Sequence, residues 1–315
     1  MSQFKESKAT RFGYSDGLLI LGEKYDNVIV LEADLSKSTT TNRFKEKYPE
    51  RSFNLGIAEQ NMLGVAAGLS LAGKIPFVST YGVFVAGRAF DQIRTTICYS
   101  NLNVKIGGAH GGISVGPDGA THQALEEIAL MRVLPGMSVI VPCDYHETKK
   151  ATIASYSING PVYIRFGREP IPIITEDSTP FNFGKGHIFR EGKDLSIIAC
   201  GVMVSEALVA AEELSKEGIE AKVINIHTVK PIDEEIIIDA AKETGAIVTA
   251  EEHQIFAGFG SAVSEVIVRN YPVPMEFVGI NDTFGESGEP DQLMKAYELT
   301  AKDIYKKALK VIKRK

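Results

Sequence analysis

The sequence predicts an α/β protein with two domains, each built around a parallel β-sheet covered by helices. Three observations lead to this fold class. Short apolar runs alternate with longer segments of helical periodicity, which is the pattern of βαβ units. The pattern pauses once, over the proline-rich residues 167–184, and then resumes. A chain of 315 residues is long enough for two domains, because a domain takes roughly 100–200 residues.

The first predicted domain spans residues 1–180 and ends with the proline-rich segment, which we interpret as a linker. Its strands are near-continuous apolar runs, typical of strands that are buried on both faces of a sheet. These runs begin at Val28, Ile75, Asn103, Ser138 and Pro161. Helical periodicity predicts helices near residues 12–24, 57–72, 84–99, 123–132 and 145–157.

The second predicted domain spans residues 181–315 and repeats this organisation. Four apolar runs predict its strands: DLSIIAC, EAKVINI, GAIVTAEE and VPMEFVGI. They alternate with predicted helices near residues 203–217, 233–243, 260–270 and 300–313. We therefore expect two hydrophobic cores, separated near residue 180.

Composition argues against several classes of protein. The chain has 34 Lys and Arg against 40 Asp and Glu, a net charge of −6, whereas a dedicated nucleic-acid binder usually presents a basic surface. No apolar run approaches the ~20 residues of a membrane span, and the N-terminus lacks a secretory signal. The three cysteines, Cys98, Cys143 and Cys200, lie far apart, which predicts buried, reduced thiols. These features favour a cytoplasmic protein.

Four segments of the first domain carry the information about function. They are NLGIAEQNMLGVAAGLSLAG from Asn54, STYGVFVAGRAFDQ from Ser79, GPDGATHQALEE from Gly116 and GPVYIRFGRE from Gly160. In this order and spacing they resemble the C-terminal half of transketolase, a thiamine-diphosphate enzyme of sugar interconversion. The resemblance covers almost the whole chain. It implies a pyrimidine-binding domain followed by the smaller C-terminal domain of that family.

The resemblance implies that Glu59 is the central catalytic residue. Thiamine diphosphate works when N1′ of its aminopyrimidine shares a proton with a carboxylate in a dry pocket, so that the ring can deprotonate C2 of the thiazolium. In the family a glutamate within a G-x-x-E segment has this role, and Glu59 occupies that position here. A glutamate that opens a helix is also a favourable partner of the helix dipole, so the catalytic role depends on the resemblance.

The cofactor ring also needs an aromatic surface to stack on. The resemblance places Tyr81 and Phe84 at that surface. It also places Asp34 at the subunit interface near the cofactor. We therefore expect these three residues to bind thiamine diphosphate together with Glu59.

Substrate contacts are implied for the D-G-x-T-H-Q element, which holds Asp118 and His122. The resemblance assigns His122 to a hydroxyl of the donor sugar, where an imidazole can also move protons near neutral pH. It assigns Asp118 to recognition of the donor's stereochemistry. His110 falls where the family has another histidine that contacts substrate.

Three further residues are implied to bind the sugar phosphate. Arg168 matches the family's arginine for this group, and a guanidinium fork suits a phosphate well. Arg11 and Ser38 match two additional contacts. We therefore expect all three to meet at the phosphate end of the substrate.

One family motif is missing from the sequence. The family binds the diphosphate through a divalent metal such as Mg²⁺ with a G-D-G segment, and no G-D-G occurs here; we assign no metal ligand to this chain. We interpret the chain as one half of a split enzyme. An N-terminal, diphosphate-binding partner subunit would hold the metal and the diphosphate, and two copies of each chain would assemble as α2β2 with the cofactor at their interface.

The favoured reaction transfers a two-carbon ketol unit from a ketose phosphate to an aldose phosphate, as in the pentose phosphate pathway. Two related enzymes remain as alternatives: a 1-deoxyxylulose-5-phosphate synthase and the beta subunit of a 2-oxo acid dehydrogenase. A comparison of ketose phosphates with pyruvate as donors would separate them. A fourth possibility is a non-catalytic scaffold subunit, which predicts that Glu59→Gln leaves activity intact.

Overall fold

The computed structural model describes residues 4–315, so the first three residues of the predicted first domain lie outside it. The structure confirms the α/β class, with one sheet of seven strands and one of five. A third, two-stranded antiparallel sheet pairs Ser7–Ala9 (β1) with Pro170–Pro172 (β8). This pairing holds the start of the described chain against the end of the first domain.

The seven-stranded sheet takes six of its strands from the first domain. They are Val28–Glu32 (β2), Ser52–Asn54 (β3), Ile75–Tyr81 (β4), Lys105–Ala109 (β5), Ser138–Ile140 (β6) and Val162–Phe166 (β7). They lie parallel in the order β6-β7-β5-β4-β2-β3. In the four central strands every residue is buried, as their continuous apolar runs predict.

Helices alternate with these strands. They are Thr10–Lys24 (α1), Ser36–Thr39 (α2), Asn42–Lys47 (α3), Glu59–Leu71 (α4), Gly82–Arg88 (α5), Glu127–Arg132 (α6) and Tyr145–Ser155 (α7). The predicted helix over residues 84–99 is instead two segments, because α5 ends at Arg88 and a π-helix covers Gln92–Cys98. Helix α1 packs closely on α7, since a Cβ on Gly13 would lie 2.3 Å from the carbonyl oxygen of Tyr145.

The second domain contains the four predicted strands and the four predicted helices, together with two further strands and one further helix. Its strands are His187–Arg190 (β9), Leu195–Ala199 (β10), Ala221–Asn225 (β11), Thr228–Lys230 (β12), Ile247–Gln254 (β13) and Met275–Ile280 (β14). Its helices are Met203–Lys216 (α8), Glu234–Thr244 (α9), Phe259–Asn270 (α10), Pro290–Ala296 (α11) and Ala301–Ile312 (α12). The predicted strands are β10, β11, β13 and β14, and the predicted helices are α8, α9, α10 and α12. The five-stranded sheet has the order β14-β13-β10-β11-β9, in which only the edge strand β9 is antiparallel.

The two domains are joined by shared structure. Strand β12 crosses from the second domain and pairs antiparallel with β6, which completes the first sheet. In the same sheet, the buried Arg165 of β7 lies 2.7 Å from Glu127 and donates to the carbonyl of Glu252 at 2.7 Å. The Glu252 carboxylate in turn accepts from the amide of Ser114 at 2.6 Å. These contacts hold the loop after β5 against the second domain. The domain boundary near residue 180 stays a prediction.

Two sequence predictions concern the whole chain. Cys98, Cys143 and Cys200 are free and buried, as expected. Within residues 4–315, none of the helices combines the length and the apolar character needed to cross a bilayer.

Candidate active site

Several of the predicted site residues lie where parallel strands of the first sheet end. Tyr81 is the last residue of β4, and His110 directly follows β5. Arg168 follows the end of β7 by two residues. Because the carboxyl ends of parallel strands meet at one edge of a sheet, loops at that edge commonly form ligand sites in α/β proteins.

Four predicted residues form an aromatic cluster, which we define as Tyr81, Phe84, His110 and His122. The Tyr81 ring stacks on His110 with 4.1 Å between ring centroids and lies 5.5 Å from the Phe84 ring. His122 meets Phe84 edge-on at 5.3 Å. The structure therefore brings together residues that are implied to bind cofactor and residues that are implied to bind substrate.

Glu59 is the first residue of α4, and only 4% of it is exposed. Nη1 of Arg88 donates a hydrogen bond to Oε1 of Glu59 at 3.1 Å. The same guanidinium lies over the Phe84 ring, with Cζ 4.0 Å from the ring centroid. Arg88 thus connects Glu59 to the aromatic cluster. Sequence reasoning missed Arg88, although its position four residues after Phe84 predicts contact between the two side chains on a helix.

His110 has an unusual environment. Its backbone has a φ of +56°, its side chain is almost completely buried, and its Nδ1 has no hydrogen-bond partner within the described part of the chain. Burial lowers its pKa to about 3, and the nearby charges of Arg11, Arg168 and His122 act in the same direction. The ring is therefore neutral at physiological pH and faces two cationic side chains.

The predicted phosphate-binding residues are already partnered. Nη1 of Arg168 lies 3.1 Å from the Asp118 carboxylate, and its Nε lies 3.2 Å from Glu169. Nη1 of Arg11 donates to the main-chain carbonyl of Ser38 at 3.1 Å, so the contact uses the backbone of Ser38. Both arginines lie close enough to influence His110. The structure thus places two guanidinium groups near His110 of the aromatic cluster.

Asp34 lies beside Asn54. Its side chain is exposed, and its backbone has a φ of +62°. Its carboxylate accepts from Nδ2 of Asn54 at 3.0 Å, while its amide donates to Oδ1 of Asn54 at 3.2 Å. Asp34 is therefore tied to the segment that leads into α4.

Gln123 is a second residue that sequence reasoning missed. Its Nε2 donates to the carbonyl of Glu286 at 2.9 Å and to the carbonyl of Ile113 at 3.2 Å. Glu286 belongs to the second domain, so Gln123 anchors the loop that carries Asp118 and His122. The sequence shows a glutamine in this motif, but it gives no sign of a partner 163 residues away.

We expect His110 to make the chain less stable in acid. The unfolded chain takes up a proton near pH 6.5, whereas the native His110 stays neutral until about pH 3. Stability is therefore lost as the pH falls below 6.5, by about 1.4 kcal/mol per pH unit for one proton. Urea unfolding at about pH 7.5 and about pH 5.5 should show a loss that is about 1.4 kcal/mol smaller in His110→Gln. Equal losses in both proteins would contradict this expectation.

The fold and the candidate site define an α/β protein whose aromatic and charged side chains gather at the carboxyl edge of a parallel sheet. Two family models match the chain: the transketolase pyrimidine binding domain over residues 6–172 and the transketolase C-terminal domain over residues 184–304. The chain belongs to the transketolase family and corresponds to its C-terminal half. The family and the fold class expected from the sequence are thereby confirmed.

Three similar proteins narrow the comparison. A solved split-gene transketolase, an inactive β4 tetramer, is 50% identical with a TM-score of 0.92, covering 98% of this chain and 99% of that one. A 6-deoxy-6-sulfo-D-fructose transketolase subunit from Clostridium sp. is 44% identical over 96% of this chain and 94% of its own length. One of the subunits of an apulose-4-phosphate transketolase from Phocaeicola vulgatus is 38% identical over 97% of this chain and 98% of its own length.

Proposed function

We propose that this chain is the C-terminal subunit of a split transketolase that uses thiamine diphosphate to transfer a two-carbon ketol unit between sugar phosphates. One observation carries the proposal: the buried Glu59 carboxylate and the aromatic cluster meet at one edge of the sheet. When bound, thiamine diphosphate supplies the carbon atom that carries the ketol unit. The chain's own residues position that cofactor and the sugars.

The residues at this edge fit an aminopyrimidine. Like an aminopyrimidine, the guanidinium group of Arg88 is planar and bears nitrogen. It contacts Phe84 and Glu59 at the same time. A ring in the same place would have an aromatic face beside it and a carboxylate at its edge. Glu59 would hold a proton at N1′ of this ring, and Tyr81 and Phe84 would form its stacking surface.

The substrate would lie on the other side of the aromatic cluster. The neutral ring of His110 and the ring of His122 can hydrogen-bond sugar hydroxyls, and an imidazole such as that of His122 can move a proton at such an oxygen. Asp118 would read the donor's stereochemistry. Arg168 and Arg11 would bind an anionic end group, which has to compete with the Asp118 carboxylate for Arg168.

The relatives support an anionic sugar as substrate. One is named for a sulfonated fructose and another for a sugar phosphate, and both end groups are anions that a guanidinium fork binds well. We propose a sugar phosphate for this chain, with Ser38 as a further contact beside Arg11.

The partner subunit would hold the diphosphate and Mg²⁺. Within residues 4–315, the His, Cys, Asp and Glu side chains form no group of three or more that could hold a metal ion. The similarity to a split-gene transketolase supports a second chain. We propose an α2β2 assembly, with the exposed Asp34 at the interface near the cofactor.

Helix α4 offers a surface for such a chain. One of its faces, which we call the glycine face, consists of Asn61, Gly64, Val65, Gly68 and Leu71, all exposed. A Cβ on Gly64 or Gly68 would meet no atom within 4 Å. Leu71 is 78% exposed, and an exposed apolar residue beside glycines suits the close approach of another chain. Because α4 begins at Glu59, a subunit packed on this face would lie beside the cofactor site.

A donor screen tests the proposed reaction. The chain is purified with a diphosphate-binding transketolase subunit and supplied with thiamine diphosphate, Mg²⁺ and an aldose phosphate acceptor. We expect ketose phosphates to be consumed and pyruvate to be left, because Asp118 and the two histidines are proposed to bind sugar hydroxyls, which pyruvate lacks. The chain without its partner serves as the control and should be inactive. Consumption of pyruvate alone would contradict the sugar assignment.

A further inference from the structure

We propose that Arg88 occupies the place of the cofactor's aminopyrimidine while the site holds no cofactor, in the free chain and in the assembled complex alike, and leaves it when the cofactor binds. Arg88 would then act as a reversible cover of the cofactor site. This inference rests on the proposed function, and it assigns a role to a residue that the resemblance to the family did not single out.

The geometry points to competition for one space. The Arg88 guanidinium is stacked on Phe84 at 4.0 Å and donates to Glu59 at 3.1 Å. An aminopyrimidine bound as proposed would use the same ring face and the same carboxylate. Two planar groups cannot stack on one face of Phe84 at once, so the Arg88 side chain has to move.

The surroundings of Arg88 allow this movement. Its side chain is 50% exposed, so water already reaches the side chain that has to move. Its backbone stays in place, because the side-chain amide of Gln60 donates to the Arg88 carbonyl at 2.9 Å. We therefore expect the movement to be a change of the Arg88 side-chain rotamer.

The cover also has a physical purpose in the free chain. Glu59 is 4% exposed, and a buried carboxylate without a partner is costly. Arg88 supplies that partner until N1′ of the cofactor ring can replace it. While Arg88 is in place the site is closed, so the apparent affinity for the cofactor falls in proportion to the fraction of open sites.

Calorimetric titration of the assembled complex with thiamine diphosphate and Mg²⁺ tests the cover. We expect Arg88→Met to lower the dissociation constant about three- to tenfold, because a half-exposed ion pair is a weak competitor. Arg88→Lys keeps the charge but lacks the planar group, so its dissociation constant should lie between those of the native complex and of Arg88→Met. Arg269→Met, which removes an arginine from a surface pair with Glu234 in the second domain, should leave the dissociation constant unchanged. An unchanged or higher constant in Arg88→Met would overturn the proposal.

Thermal unfolding of the chain without its partner gives a second measurement. Arg88→Met should lower the midpoint in the background of the native Glu59, because the buried carboxylate loses its partner. In the Glu59→Gln background the same change should lower the midpoint less. Equal shifts in both backgrounds would show that Arg88 does not serve Glu59 and would overturn the cover.

These results also separate this inference from the proposed function. If the native complex binds no thiamine diphosphate, the proposed function fails and the cover fails with it. If the native complex binds the cofactor and Arg88→Met binds it no more tightly, only the cover fails.

Discussion

Replacing Glu59 with Gln is expected to lower the turnover of the assembled enzyme by about 100- to 10,000-fold, the usual loss when a positioned proton-transfer group is removed. Glutamine has nearly the same shape, and its Oε1 can still accept from Nη1 of Arg88. It cannot take part in sharing a proton at N1′ of the cofactor ring. The change therefore removes the proposed chemistry and keeps the local packing.

Steady-state turnover of the complex, with ketose phosphate as donor, measures this loss. Glu235→Gln is a matched control, since Glu235 is a largely exposed glutamate in the second domain, and it should keep full turnover. Unfolding of the Glu59→Gln chain without its partner should show that the variant still folds. Turnover close to that of the native complex would mean that the chain is a scaffold whose partner performs the catalysis.

The sequence predicted the central strands well because their signal is local. A buried parallel strand has to be apolar on both faces, so β2, β4, β5 and β7 are visible as continuous runs. The edge strands β9 and β12 are short and antiparallel, and their existence depends on pairing with distant residues. The same is true of the interruption between α5 and the π-helix at Gln92–Cys98, which falls in a region that keeps helical periodicity.

The site shows the same division. The roles expected for Glu59, Tyr81 and Phe84 followed from the resemblance to transketolase, and the structure brings these residues to one edge of the sheet. Their contacts with one another did not follow, because a pair such as Arg88 and Glu59 is separated by 29 residues and joins two helices. The resemblance assigned Asp118 and Arg168 to different parts of the substrate, whereas they form an ion pair. The members of the candidate site can thus be inferred from the sequence, whereas the contacts between their side chains require the fold.

Replacing Gly64 with Trp is expected to abolish assembly with the partner subunit. The glycine face of α4 has open space above Gly64, so an indole would project outward from the helix by several ångströms and keep another backbone away. The chain itself should fold as before or gain slightly, since glycine is the poorer helix former by a few tenths of a kcal/mol. Size-exclusion chromatography of the co-expressed subunits would detect the loss as a separate peak for each chain.

Two variants make this experiment specific to the glycine face. Gly64→Ala adds one methyl group and should keep assembly, because only the bulk of the side chain is at issue. Glu212→Trp places the same indole on an exposed position of α8 in the second domain and should also keep assembly. If Gly64→Trp still elutes with the partner, the glycine face remains open to solvent in the complex, and the cofactor site must be completed from another side of the sheet edge. If Glu212→Trp also prevents assembly, an exposed tryptophan by itself causes the loss, and the result with Gly64→Trp does not support an interface on α4.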